Sequence, residues 1–192
     1  KMSKSLGNVV EPQKVVDQLG ADILRLWAAS VDYRGDVRIS DNILRQLAEV
    51  YRRIRNTARF LLGTTFDFDP ARDAVPLERM RPIDRWAVLR VRELSRRAQK
   101  AYADFDYHVV FHQVQDFCAV DMGGFYLDAL KDRLYCHGAA SSERRSAQTA
   151  LWEILITLTK LIAPVLAFTA DEIWQHLPEH AREQPSVHLT TW

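Results

Sequence analysis

Long apolar stripes at helical spacing constrain this chain more than any other feature. A residue repeated every three to four positions lines one face of a helix and cannot line one face of a strand. From Ser40 onward, Ile43, Leu47, Val50, Ile54, Ala58 and Leu61 share a face. Ile83, Ala87, Val91, Leu94, Ala98 and Ala101 repeat the pattern, and a third helical stretch runs from about Glu143 to Ala163. Each is punctuated as a helix should be. Ser40 or Asp41 can cap the first, which Gly63 and "TTFDFDP" close after Leu62. Pro76 and Pro82 hold a linker ahead of the second, which starts near Ile83, and Pro164 stops the third. Long helices with short connections predict an all-α fold, an antiparallel helical bundle over residues 41–192.

Residues 1–40 lack this pattern and read as a small mixed linker module. Pro12 starts a short helix, Gly20 stops it, "DILRLWAAS" makes a second, and "VDYRGDVRIS" is a loop with at most a short strand. Inside the bundle, "YHVVFHQVQDFCAV" and "FYLDALKDRLYC" are expected as two helices separated at Gly123 and Gly124, where the chain can turn sharply or helices can approach. In "FTADEI", Thr169 and Glu172 have the spacing of a capping box, and Phe168 and Ile173 that of a hydrophobic staple. Pro178 ends this last helix, and "SVHLTTW" reads as an edge strand or a tail. Trp27, Trp86, Trp152 and Trp174 sit at apolar helical spacing and are assigned to the core, with Tyr51 and Tyr102 as packing beside it.

Composition excludes several classes. At 192 residues, with 47% apolar and 27% charged, the chain can bury a core of its own. No apolar run reaches the roughly eighteen residues expected of a membrane helix, and the basic start is not followed by the apolar segment and small-residue cleavage site of a signal peptide. A start at Lys1 suggests an excised piece of a longer protein. Cys118 and Cys136 have neither a CxxC partner nor a histidine cluster, which argues against disulfides and structural zinc and fits the cytoplasm.

The net charge of +1 conceals an uneven distribution. Arg45, Arg52, Arg55 and Arg59 lie opposite the first apolar stripe, with Glu49 the only acid between Asn42 and Leu62. Arg85, Arg92, Arg96 and Lys100 lie opposite the second. A solvated face ordinarily mixes signs to gain i,i+4 pairs, whereas arginine forks match phosphate oxygens. Two readings stay open at this point: ordinary soluble surface, or a nucleic-acid-binding face. His108 and His112 have the spacing of a helical metal pair, with Asp116 a turn further, but no third nitrogen or sulfur ligand follows, so no metal is expected there.

The opening "KMSKSLGNVVEP" is too polar for a core. Lysines at positions 1 and 4 can follow a polyphosphate as its charge moves, because lysine is a compact charge on a long stem. The hydroxyls of Ser3 and Ser5 add donors, and Met2 would anchor the loop on apolar surface. Such a loop stabilises a departing pyrophosphate more than bound ATP, which is how charge clamps accelerate nucleotidyl transfer. It is not a Walker loop, since GxxxxGK[ST] is missing.

"KMSKS", followed by "LGNVVEP" and "GADILRLWAAS", resembles the second signature of class I aminoacyl-tRNA synthetases. "VYRRIRNTARFLLG", "DRWAVLRV", "FYLDALKDRLY" and "LIAPVLAFTADEIW" look most like the isoleucyl branch of that family, and the resemblance covers almost the whole chain. Valyl enzymes share the architecture, but "DYRGDVRISDNIL" and "FYLDALKDRLY" favour the isoleucyl branch. The resemblance implies that Lys1, Met2, Ser3, Lys4 and Ser5 close over ATP, with Lys1 and Lys4 catalytic. It also implies that residues to about Ser40 join this loop to an anticodon-binding bundle, and that Arg45, Arg52, Arg55, Arg59, Arg92 and Arg96 face the anticodon stem and loop of an isoleucine-accepting tRNA. ATP, magnesium and isoleucine would be handled with domains upstream, so this piece alone is expected to be inactive and monomeric. From a different class, the alternative is a free-standing helical adaptor that binds RNA or protein.

Overall fold

The computed structural model describes residues 2–7 and 9–192, without the side chain of Lys4. Lys1 lies outside the described residues. No β-strand occurs among the described residues, and the helices follow one another along the chain. Helices α1 (Pro12–Leu19) and α2 (Ala21–Ser30) meet at Gly20, whose φ of +90° is open to glycine and strained for any other residue. The long helices are α3 (Asp41–Thr64), α5 (Pro82–Ala103) and α9 (Ser142–Ile162), with a short α4 (Pro70–Asp73) between the first two. Between α5 and α9 run α6 (Tyr107–Asp116), a π-helical segment (Phe117–Tyr126), α7 (Leu127–Ala129) and α8 (Lys131–Cys136). Helix α10 (Ala167–Gln175) closes the set.

Helix α9 is the axis of the bundle. Twelve of its 21 residues are buried, among them Leu151, Ile154, Leu155, Leu158 and Leu161, as befits a central helix, with Arg144, Ser146 and Gln148 as buried polar groups in its first turns. Helices α3 and α5 each pack on α9 and on the α6–π segment more closely than on each other, and so occupy opposite corners. Their exposed faces therefore point away from each other. Helix α2 packs on α3 and α6 and places Leu26 in the main core. Residues of α1, α2 and the start of α3 share a small core of Val15, Ile23 and Leu44.

The expected stripes are the buried ones, with Ile43, Val50 and Ile83 half-buried at their edges. Ser40 caps α3, accepting from the amide of Ile43 at 3.3 Å. Trp174 is fully buried; Trp27, Trp86 and Trp152 are half-buried against the core. The Tyr51 and Tyr102 hydroxyls reach Thr169 Oγ1 (2.9 Å) and the Leu161 carbonyl (2.8 Å), the packing role expected of them.

Several expectations are corrected. Gly63 does not end α3. The helix continues to Thr64, where the hydroxyls of Thr64 and Thr65 add second hydrogen bonds at 2.8 Å to the Phe60 and Leu61 carbonyls, and Gln148 Nε2 donates at 2.9 Å to the Thr64 carbonyl that the helix end leaves open. Pro82 is the first residue of α5 itself, a position where its missing N–H is no loss. Gly123 and Gly124 separate nothing, because the chain stays helical through them as a π-helix. A Cβ on Gly123 would stand 3.1 Å from the Cys118 carbonyl, so glycine relieves the crowding of the wider turn. Helix α10 begins at Ala167, which places Thr169 inside the helix and removes the capping box with Glu172. "SVHLTTW" forms a 3-10 turn (Val187–Leu189) and no strand, held by Val187, which is 2% exposed, and by Ser186 Oγ donating to Asp171 at 2.6 Å. Loop 31–40 likewise carries no strand.

Candidate nucleic-acid interface

The arginines predicted to face phosphate lie on the two opposite corners of the bundle. On α3, Arg45, Arg52, Arg55 and Arg59 are all exposed. Arg45 Nε donates to the Asp41 carbonyl at 3.3 Å, and Arg52 holds both oxygens of Glu49 at 2.8 Å. Arg55 crosses to α10, where its Nη2 lies 3.0 Å from Glu172. Arg59 has no side-chain hydrogen bond or ion pair among the described residues. All these pairs are solvent-exposed and worth little, so they leave the guanidiniums available to a stronger anion.

On α5 the pairing is tighter. Arg92 grips Glu153 of α9 with bonds of 2.5 and 3.1 Å, which raise its pKa and commit its fork to the protein. Arg90 reaches Asp121 at 2.8 and 3.2 Å and Glu93 at 3.1 Å, and Glu93 also takes Arg97. Arg96 is exposed and unpaired among the described residues, and Arg85 is half-buried. Glu153 of α9 and Asp121 of the π-helical segment thus neutralise Arg92 and Arg90, which a single-helix projection cannot show, while Arg85, Arg96 and Lys100 have no acidic partner among the described residues. On α3, Arg45 and Arg59 likewise have no acidic partner among the described residues.

The opening motif forms a single 3-10 turn over Lys4–Leu6, closed by the Leu6 amide donating to the Ser3 carbonyl at 3.1 Å. The Ser3 and Ser5 hydroxyls share a 2.5 Å hydrogen bond. Met2 is exposed, so the anchoring expected of it is not made by this chain; the small core of the module reaches only as far toward it as Val10.

His108 is half-buried with Nδ1 unpartnered, and His112 is exposed. Among the described residues no three or more His, Cys, Asp or Glu side chains gather as a metal set would. Burial pushes the Cys118 thiol up to about 12, so it is a packing residue rather than a nucleophile.

Sequence reasoning missed the residues that tie α2 to the bundle and those that complete the α3 face. Asp22 and Arg25 of α2 bond the turn between α9 and α10, and Glu172 and His176 of α10 stand across a groove from Arg55, Asn56 and Arg59. Only the placement of α10 reveals them.

An all-α bundle with exposed arginines along one helix defines a helical domain with an anion-binding face. Residues 84–192 match the family model for the anticodon-binding domain of tRNA ligase, and residues 1–40 match that for class I tRNA synthetases (I, L, M and V). The chain belongs to this anticodon-binding tRNA-ligase family. It is 58% identical to the isoleucine-tRNA ligase of Halorhodospira halophila over 95% of this chain and 19% of that protein. It is 54% identical to that of Geobacillus thermodenitrificans over 99% of this chain and 21% of the relative, and 54% to that of Moorella thermoacetica over 100% and 21%. The chain spans about a fifth of the length of the curated relatives it matches.

Proposed function

We propose that this chain is the part of an isoleucine-tRNA ligase that runs from the ATP-loop signature through the tRNA-binding bundle. What carries the reading is identity of 53–58% to isoleucine-tRNA ligases over 95–100% of the chain, with the class I and anticodon-binding models matched in that order along it. The complete enzyme would join isoleucine to ATP as an adenylate and pass it to tRNA. Lys1, Met2, Ser3, Lys4 and Ser5 would close on ATP, Lys1 and Lys4 stabilising the departing pyrophosphate. Magnesium suits the oxygens of ATP rather than this chain, whose described residues gather no metal-ligand set. Residues 1–40 would connect loop to bundle, and residues 41–192 would hold the anticodon stem and loop through Arg45, Arg52, Arg55 and Arg59, or through Arg92 and Arg96 from the opposite corner. The enzyme would work as a cytoplasmic monomer; no helix among the described residues is long and apolar enough to cross a membrane.

Binding of the 192-residue chain to labelled tRNA tests this. It should prefer an isoleucine-accepting tRNA to a valine-accepting one, and should show no isoleucine-dependent exchange of pyrophosphate into ATP, because both substrates need positioning groups from the rest of the enzyme. Preference for the valine acceptor, or exchange above a tag-only control, would overturn it.

A further inference from the structure

The groove between α3 and α10 holds more hydrogen-bonding capacity than the protein itself uses. Arg55, Asn56 and Arg59 form one wall, Glu172 and His176 the other, around a space of about 250 Å³. Its floor is apolar, with Ala58 2% and Ile173 5% exposed. Among the described residues the side chains of Asn56 and Arg59 have no hydrogen-bond or ion-pair partner. Among the described residues the sole partner of Arg55 is Glu172, through one contact of 3.0 Å between side chains 55% and 51% exposed. His176 Nδ1 lies 2.8 Å from the Glu172 carbonyl, so Nδ1–H donates there and Nε2 remains as the free nitrogen of the ring.

We propose that this groove seats one backbone phosphate of the bound RNA, and that Glu172 is an electrostatic competitor that occupies Arg55 until the RNA arrives. The inference rests on the tRNA-binding function proposed above. Two guanidiniums against one carboxylate leave a single excess positive charge, the complement of one phosphodiester, and the apolar floor strengthens that attraction by keeping water from one side. The groove is also the end of a row. Arg45, Arg52, Arg55 and Arg59 extend over about 21 Å of helix at 1.5 Å per residue, a length that suits a run of phosphates and not one small anion. An exposed ion pair such as Arg55–Glu172 is weak enough for a phosphate to displace, and planar forks take phosphate oxygens in pairs.

The test is affinity of the 192-residue chain for a fluorescent isoleucine-accepting tRNA across a salt series. Glu172→Gln removes the competitor and should tighten binding by about two- to fivefold. Arg59→Gln should weaken binding and lower the salt slope by about one unit. Glu153→Gln, which frees Arg92 on the opposite corner, should leave affinity unchanged. All three side chains are away from the buried core, and melting temperatures should show each variant folded. The groove is ruled out if Glu172→Gln binds no more tightly than the unaltered chain, or if Glu153→Gln tightens binding as much, since that would be a net-charge effect. If the unaltered chain shows no salt-sensitive tRNA binding, the proposed function falls with it. If it binds with a salt slope but ignores position 172, the groove alone falls.

Discussion

Asp84 has no exposed surface, yet every lone pair it presents is used. Tyr126 donates its hydroxyl at 2.9 Å, Arg133 donates to both oxygens at 2.8 Å, and Ser146 donates at 2.6 Å. Burial holds the Tyr126 phenol well above its ordinary pKa, so it stays a donor. The carboxylate also sits in the first turn of α5, where a negative charge meets the positive end of the helix. Asp84→Asn keeps the shape and strands Arg133, whose side chain is 15% exposed. Breaking a buried pair from one side costs about 3 kcal/mol or more, and urea unfolding should show it; a loss under about 1 kcal/mol would mean that solvent reaches Arg133 and compensates. Asp67 supplies a pH dependence. Hydrogen bonds from Arg144 at 2.6 and 3.0 Å, joined by Gln148 at 2.7 Å, hold its carboxyl below the usual range despite partial burial. A depressed folded value means that its stabilisation is complete above the unfolded value of about 3.9 and is lost as pH falls through it toward the folded one. Asp67→Asn should therefore lower stability at neutral pH and flatten its decline below about pH 4; an acid limb unchanged by the substitution would assign the loss to other carboxylates.

At the scale of elements, the corner between α9 and α10 is held from the far end of the chain. Leu166, at the N-cap of α10, offers no side-chain acceptor, and Asp22 of α2 takes that role. Its carboxylate accepts the Thr169 amide at 2.8 Å, the Thr169 hydroxyl at 2.6 Å and the Phe168 amide at 3.4 Å. Three residues on, Arg25 donates to the carbonyls of Pro164 and Val165, both at 2.8 Å, just past the end of α9. One helix thus satisfies the open amides of α10 and two carbonyls of the turn before it. Asp22→Ala should cost about 1–2 kcal/mol, as loss of a capping side chain does. It should also speed hydrogen exchange at the Phe168 and Thr169 amides ahead of the rest of α10. Unchanged protection at those two amides would show that they are capped by something else.

For the whole molecule, α3 and α5 lie on different corners around α9, so their arginines are two separate candidates for the RNA-facing side. Reversing Arg52 and Arg59 to glutamate should weaken tRNA binding and flatten its salt slope by roughly one unit per lost contact. Thermal stability should change by less than about 0.5 kcal/mol, since both side chains point to solvent. If affinity and slope hold while the fold stays intact, the RNA lies on the other corner, and reversal of Arg96 should then carry the effect instead.

Much of this was legible in the residues alone. Apolar spacing of three to four marks a helix whatever surrounds it, so the stripes of α3, α5 and α9, the Ser40 cap and the all-α class followed from local pattern. The opening "KMSKS" and the segments after it likewise carried the family resemblance that the family models match. Local pattern failed where a partner distant in the chain supplied the deciding atom. The "FTADEI" segment carries its own start signal, yet α10 begins earlier because Asp22 meets its amides. The Gly123–Gly124 pair permits a turn, but the core burial of Phe117, Met122 and Tyr126 keeps the segment helical. Arg92 looks unopposed in projection and is matched by Glu153 from a neighbouring helix, as Arg90 is by Asp121. The sequence by itself determined which segments are helices and which residues of each face inward, since both depend on spacing within a segment. Only the tertiary structure decided which charges are neutralised, which helix ends are capped and where a groove opens, because an ion pair or a cap needs two groups within about 3–4 Å and spacing along the chain says nothing about that distance.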